Sequence, residues 1–248
     1  MRILGLDTAT SATAAAVLEL DPNGYERAAI ERRDDPEPGT RPRHTAVLLS
    51  LALAAIDAAG AGWDDLDLIA VGTGPGTFTG LRIGIATARA LARARDVALV
   101  GVSTLRSLAA GAATFAVAHD RTPLAVLDAR RGEAFAAAWA DPGACDQASA
   151  PPLIAPMALA PERLAEALSD DAGRWLAVGD GALRFRPILE AAGVVVPDDA
   201  RLHRVSALQH CRLAAGVQPQ SPDHVVPEYL RVPDAELALN ARAGAATP

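Results

Sequence analysis

The sequence predicts an α/β protein made of two similar halves, and three observations predict it. An apolar strand at 3–6 ends on Asp7, a short polar turn follows, and a second apolar run leaves at 13–20. The same plan returns at 124–127, which ends on Asp128 and passes through 129–132 into a strand at 133–139. Between and after these hairpins, short strands that end in glycine run into segments with helical spacing. Alternation of this kind, repeated at half the chain, marks a duplicated α/β architecture. One continuous doubly wound sheet fits less well, because the opening strands need antiparallel pairs and the halves look alike.

Each element follows in order. Asp21-Pro22-Asn23-Gly24 is a turn signal, so 25–32 forms a third strand and the chain opens as a β-meander. A charged, proline-rich loop occupies 34–42. Over 44–59 the apolar residues Val47, Leu48, Leu51 and Ala55 recur at helical spacing, and Gly60-Ala61-Gly62 stops that helix. A buried strand at 66–71 enters the glycine-rich stretch 72–80, followed by a helix at 81–95 and a strand at 97–102. The boundary between halves is placed within 105–122, giving an N-terminal subdomain 1–106 and a C-terminal subdomain 107–248. In the second half 148–161 reads as a proline-rich loop, 162–168 as a helix and 175–178 as a strand ending on Gly179-Asp180-Gly181. Helices at 183–192 and 206–215 close the plan. The last ten residues, alanine-rich and without periodicity, are the stretch whose composition reads as disordered.

Composition narrows the function. With 248 residues, half of them apolar, the chain can bury a sizeable core. A net charge of −7 is a poor match for a phosphate backbone, which argues against strong nucleic-acid binding by this chain alone. All 23 basic residues are arginine, so a lysine Schiff base and the phosphate-binding lysine of a P-loop are excluded. Cys145 and Cys211 stand far apart in no metal-type spacing, which points to a reducing compartment. The apolar run at 3–6 is too short for a signal peptide, and no run approaches the ~20 residues that span a bilayer. A soluble, cytoplasmic protein without membrane contact is expected.

Several residues could carry chemistry. A strand that ends in glycines and enters a helix presents free N–H groups, so 72–80 is either a phosphate cradle or a tight turn. It has neither the lysine of a Walker loop nor the spacing of a dinucleotide fingerprint. Asp7 and Asp128, at strand ends, could hold magnesium or orient water, or simply cap their hairpins. Asp7, Thr8, Gly74, Gly76 and Gly179 are the candidates for contacting a nucleotide or phosphate. The histidines His44, His119, His203, His210 and His224 show no ligand spacing, and no acidic partner is suggested for His203 or His210, so no metal site is predicted. No serine sits in a nucleophile elbow and no cysteine sits beside a base. Gly80, Gly84, Ala88 and Ala92 form a ridge of small residues along the second helix, and Leu48, Ala52, Ile56 and Ala59 run along the first. Such a ridge serves close packing within the chain or against a partner.

Taken together, Ile3-Leu4-Gly5-Leu6-Asp7-Thr8, His44 opening a leucine-rich helix, the run Gly74-Pro75-Gly76-Thr77-Phe78-Thr79-Gly80-Leu81-Arg82-Ile83-Gly84, Asp128-Ala129-Arg130-Arg131-Gly132-Glu133 and Pro227-Glu228-Tyr229-Leu230-Arg231 resemble the TsaB (YeaZ) family. The resemblance runs in order from Met1 to about Arg231; Phe135, where tyrosine is common, is a mild departure. It implies the two-subdomain fold of the actin, Hsp70 and sugar-kinase type. It implies a non-catalytic subunit that binds and activates a catalytic paralogue, TsaD, alongside an ATPase, TsaE. Together these transfer threonylcarbamoyl from its adenylate to the adenosine beside the anticodon of tRNA. The paralogue carries V-N-H-x-x-G-H, with two histidine metal ligands. Val102-Ser103-Thr104-Leu105-Arg106-Ser107-Leu108 stands there in this chain, with Thr104 and Leu108 at the ligand positions.

In the family the two N-terminal helices make the partner surface, which pairs with itself when the partner is absent. His44, Leu48, Ala52, Ile56, Gly80, Gly84, Ala88 and Ala92 are the residues expected there. A bulky group at Gly84 or Ala88 should then block association and leave the monomer folded. No cofactor is required, although a nucleotide could sit in the cleft or at the partner interface, and tRNA is met only within the complex. The alternatives are an ATP-dependent small-molecule phosphotransferase of the sugar-kinase class, and a metallopeptidase, against which the missing ligands weigh.

Overall fold

The computed structural model describes residues 1–37, 39–140 and 151–231. Cys145 and the last ten residues lie outside them.

The first sheet contains β1 (Arg2–Asp7), β2 (Thr13–Leu20), β3 (Glu26–Asp34), β4 (Leu68–Gly74) and β5 (Ala98–Ser103), in the order β3-β2-β1-β4-β5. β2 pairs antiparallel with β1 and β3, whereas β4 runs parallel to β1 and β5. The second sheet contains β6 (Thr122–Arg130), β7 (Glu133–Trp139), β8 (Pro152–Leu159) and β9 (Trp175–Val178), in the order β8-β7-β6-β9. β6 pairs antiparallel with β7 and parallel with β9, and β7 pairs antiparallel with β8. The second order repeats the first strand for strand, short of β5. This is the duplicated architecture of the actin, Hsp70 and sugar-kinase folds, each half a mixed sheet with helices.

Side-chain alternation assigns the layers. In β1, Leu4 and Leu6 enter one core with Leu48, Ala52, Ile56, Leu81 and Ile85 from α1 (His44–Ala58) and α2 (Phe78–Arg95). Ile3 faces the other way, into a core that spans both sheets. That central core is filled by α3 (Thr104–Ala118) and α7 (Ala207–Ala214). The third core lies beyond the second sheet, under α4 (Pro161–Leu168), α5 (Asp180–Arg184) and α6 (Arg186–Ala191). Five layers result: two helices, sheet, two helices, sheet, three helices.

α7 belongs by sequence to the second half, yet it packs on the first sheet. Gly5 makes this possible: a Cβ there would run into the Ala207 carbonyl. The expected division after residue 106 falls in the first turn of α3.

Three expectations need correction. Most of the stretch 105–122, read as a boundary, belongs to α3, capped by the Ser103 hydroxyl, which accepts from the Arg106 N–H at 3.4 Å. Its exposed positions, Gly111, Thr114, Val117 and Ala118, carry no charge, so it lacks the charged stripe that periodicity detects, and its alanines supply the propensity instead. Residues 152–159, read as loop, form β8. It is an edge strand, where Pro152 and Pro156 are tolerated because one side of the ladder needs no donor. The helix expected at 183–192 is two short helices, α5 and α6, with Phe185 between them and Pro187 in the first turn of α6.

Candidate functional site

Three segments distant in sequence meet between the two sheets. Residues 75–79 lead from β4 into α2, residues 128–131 form the β6–β7 hairpin, and residues 228–231 follow the last helix. With Phe135 they enclose a cavity of about 450 Å³. The C-terminal segment is fastened to both halves. The Glu228 N–H donates to the Thr73 carbonyl at 2.7 Å, and Val225 is buried in the first core. Arg231 pairs with Glu133 of the hairpin at 2.9 Å. Gly74, at φ +117°, is the close approach: a Cβ would lie 2.8 Å from the Glu228 carbonyl oxygen.

Aromatic and charged groups line the mouth. Phe78 stacks on Tyr229 with ring centroids 5.4 Å apart, and the Arg82 guanidinium lies 3.7 Å above the Phe78 ring. The Arg82 Nε–H donates to the Tyr229 hydroxyl at 3.0 Å. Asp128 accepts from the Arg130 N–H at 2.8 Å and pairs with Arg184 at 2.7 Å. Its own N–H donates to Asp180 Oδ1 at 3.0 Å. Burial pushes the Asp180 carboxyl above the usual range, and the nearby Asp128 charge adds to this against two backbone hydrogen bonds. Glu228 is half-buried, and its pKa is raised by desolvation alone.

The five expected nucleotide residues do not gather here. Only Gly76 lines the cavity. Asp7 continues the inward face of β1 and is 2 % exposed. Its Oδ2 accepts from His210 Nε2 at 2.8 Å and its Oδ1 from the Ala9 N–H at 3.1 Å. The Thr8 hydroxyl donates to the Gly80 carbonyl at 2.7 Å. Gly74 packs against Glu228, and the Gly179 N–H donates to His203 Nδ1 at 3.1 Å, away from the cavity. His203 Nε2 in turn donates to the Pro197 carbonyl at 2.8 Å. No acidic partner was expected for either histidine; His203 has backbone partners only, whereas the partner of His210 is an acid, Asp7.

The eight side chains expected at a partner surface are all buried within this chain. His44 Nδ1 lies 2.8 Å from the Thr13 hydroxyl, and Leu48, Ala52 and Ile56 pack on the sheet. A Cβ at Gly80 would meet the Thr8 carbonyl and one at Gly84 the Thr8 hydroxyl; Ala88 and Ala92 lie in the same core. The ridge of small residues thus seats α2 on its own sheet. The outward face of α1 is a different set, with Leu49 49 % and Leu53 43 % exposed. Thr104 accepts from the Gly74 N–H at 3.1 Å, and Leu108 packs at Gly179.

Glu228, Tyr229, Phe78 and Arg130 line the cavity; all four lie in the runs that carry the family resemblance, which attaches no role to them. Their placement at three loop ends, outside any apolar period, was the available signal.

The family model of TsaD, tRNA N6-adenosine threonylcarbamoyltransferase, matches residues 36–168. The chain is 31% identical over 237 residues to the tRNA threonylcarbamoyladenosine biosynthesis protein TsaB of Escherichia coli K12, covering 93% of this chain and 95% of that protein. A tRNA N6-adenosine threonylcarbamoyltransferase of Novosphingobium aromaticivorans is 35% identical over 115 residues, which is 33% of its length. Among solved structures, YeaZ from Pseudomonas aeruginosa superposes with a TM-score of 0.71 at 28% identity, covering 92% of this chain and 99% of that one.

Proposed function

Because the chain belongs to the TsaB (YeaZ) family, we propose that it serves threonylcarbamoyl modification of tRNA adenosine as a non-catalytic subunit, binding and activating a TsaD-like paralogue. One observation carries the pairing. The outer side of α1 carries Ala46, Leu49, Leu53 and Ala54 beside Thr45, Ser50 and Asp57, and only the inner side is covered, which leaves Leu49 and Leu53 in solvent. A second helix laid along this face would cover it. The match of residues 36–168 to the TsaD model supports a partner of like fold, so the same face accounts for a homodimer when the partner is absent.

The chemistry belongs to the partner in this reading. Asp7 is engaged by His210 and Asp128 by Arg184, so neither offers the free carboxylate a phosphotransferase needs. Thr104 and Leu108 are taken up in hydrogen bonding and packing. A TsaE-like ATPase and tRNA join the assembled complex, in the cytoplasm. Among the described residues no helix is long and apolar enough to cross a membrane.

Size-exclusion chromatography with light scattering tests the pairing, on the chain alone and mixed with the TsaD-like protein of the same organism. A mixed species that forms as the homodimer disappears, and that the double variant Leu49→Arg, Leu53→Arg fails to form, is the expected result. Two proteins that elute independently with and without nucleotide would overturn the reading.

A further inference from the structure

The pairing surface carries a charge pattern that its exposed leucines do not explain. On α2, Arg82, Ala86, Ala90 and Arg93 are all exposed and recur every three or four residues, so they share one outward face. α1 lies beside α2 on the same side of the first sheet, with Leu49 and Leu53 turned outward as well. Across the two helices stand four arginines and a single acid, Asp57, in a chain whose net charge is −7. Three of the arginines are engaged: Arg89 and Arg93 share the Asp223 carboxylate, and Arg95 pairs with Asp64 at 3.2 Å. Among the described residues Arg82 has no carboxylate partner. It is nevertheless held in place, with its guanidinium 3.7 Å above the Phe78 ring and its Nε–H donated to the Tyr229 hydroxyl at 3.0 Å. Its Nη1 and Nη2 edge, the fork that fits a carboxylate, has no hydrogen-bond partner among the described residues. A guanidinium fixed in this way loses little further freedom when it binds.

We propose that Arg82 is the charge anchor of the pairing surface, and that it selects a partner helix with an acidic face over a second copy of this chain. The proposal rests on the pairing reading above and adds the chemistry of the partner. A helix laid over Leu49, Leu53, Ala86 and Ala90 can approach closely at its middle, where the alanines are, and meets an arginine towards each end. Arg82 and Arg93 stand roughly 16 Å apart along the α2 axis, so the partner's carboxylates sit about three turns apart. The apolar strip beside Arg82 suits a protein helix rather than a phosphate backbone. A self-pair presents the same patch twice, so each α2 meets a face on which the helices offer its arginines only Asp57. Opposing like charges in the self-pair and matching opposite ones in the heteropair together set the preference.

Biolayer interferometry of the full chain against the TsaD-like protein of the same organism tests this, with light scattering of the full chain alone, both at about 50 and about 500 mM sodium chloride. The heteropair is expected to weaken roughly tenfold between the two salts, whereas self-association holds or strengthens. Arg82→Glu should weaken the heteropair about tenfold or more. Arg82→Lys keeps the charge and loses the fork, so its affinity should fall between those of the parent chain and Arg82→Glu. Thermal melts run alongside show that each variant is folded. Among single Asp→Arg or Glu→Arg variants of the partner, at least one should bind Arg82→Glu more tightly than it binds the parent chain, a reversal that misfolding cannot produce. The proposal is overturned if Arg82→Glu binds the partner as the parent chain does, or if no partner variant restores binding. It is also overturned if Arg82→Glu weakens self-association as much as it weakens the heteropair, which would make a second copy the occupant. A parent chain that pairs through Leu49 and Leu53 but is indifferent to Arg82 sinks this proposal alone; a parent chain that does not pair sinks both readings.

Discussion

Asp7 and His210 lie 203 positions apart and meet at 2.8 Å with almost no exposure. Removing one member of a buried pair leaves the other unpaired, which costs about 3 kcal/mol. His210→Ala should lose stability of that order in urea denaturation; a loss under about 0.5 kcal/mol would show the pair to be unimportant. His44 gives a pH dependence. Burial holds its pKa below the ordinary 6.5, against the nearby Asp7 and Asp34 charges. A depressed histidine means that the unfolded chain binds the proton more readily. The stability this residue contributes is therefore present above pH 6.5 and lost as pH falls towards the folded value. Thermal melts across that window should slope for the parent and flatten for His44→Gln. At this scale the sequence was half legible. Alternation in β1 puts Asp7 on the face of Ile3, but nothing local announces the histidine that waits there from α7.

Helices α1 and α2 were placed within a few residues by periodicity and glycine stops, while their faces were assigned wrongly. A ridge of small residues permits close approach without saying to what, and here the nearest neighbour is the Thr8 turn of the same chain. Gly84→Leu is therefore expected to destabilise the fold itself, by a few kcal/mol of overpacking, rather than to block association only. A soluble, fully stable Gly84→Leu monomer by circular dichroism would contradict this. The two sides of α1 separate cleanly. Leu48→Ala, at 2 % exposure, should cost about 2–4 kcal/mol, whereas Leu49→Ala, at 49 %, should change monomer stability by less than about 0.5 kcal/mol and weaken pairing. Denaturant melts and light scattering read the two effects apart. α3 and β8 are hard to read for the opposite reason to α2: one exposes only uncharged, mostly small residues and the other carries prolines at an edge, so neither shows the period that defines its type.

The duplication was legible because each half opens with the same hairpin ending in aspartate, and the strand orders repeat as that implies. The cavity was not, because it exists only where one loop from each half and the C-terminal segment converge. The central core includes residues of both sheets, so the halves should unfold together. Single-tryptophan variants retaining Trp63, beside the first core, or Trp175, in the third, should give coincident denaturant midpoints; midpoints separated by more than about 0.5 M urea would show independent halves. The seat of α7 on β1 also bears on how the protein is made. The strands at 2–34 leave the ribosome well before the helix that covers one of their faces, at 207–214. This sheet thus stays open on that side until the helix has been made, guarded only by whatever binds nascent apolar surface. A message truncated after the first half would yield a product bare on the face that Gly5 shapes for a helix not yet made.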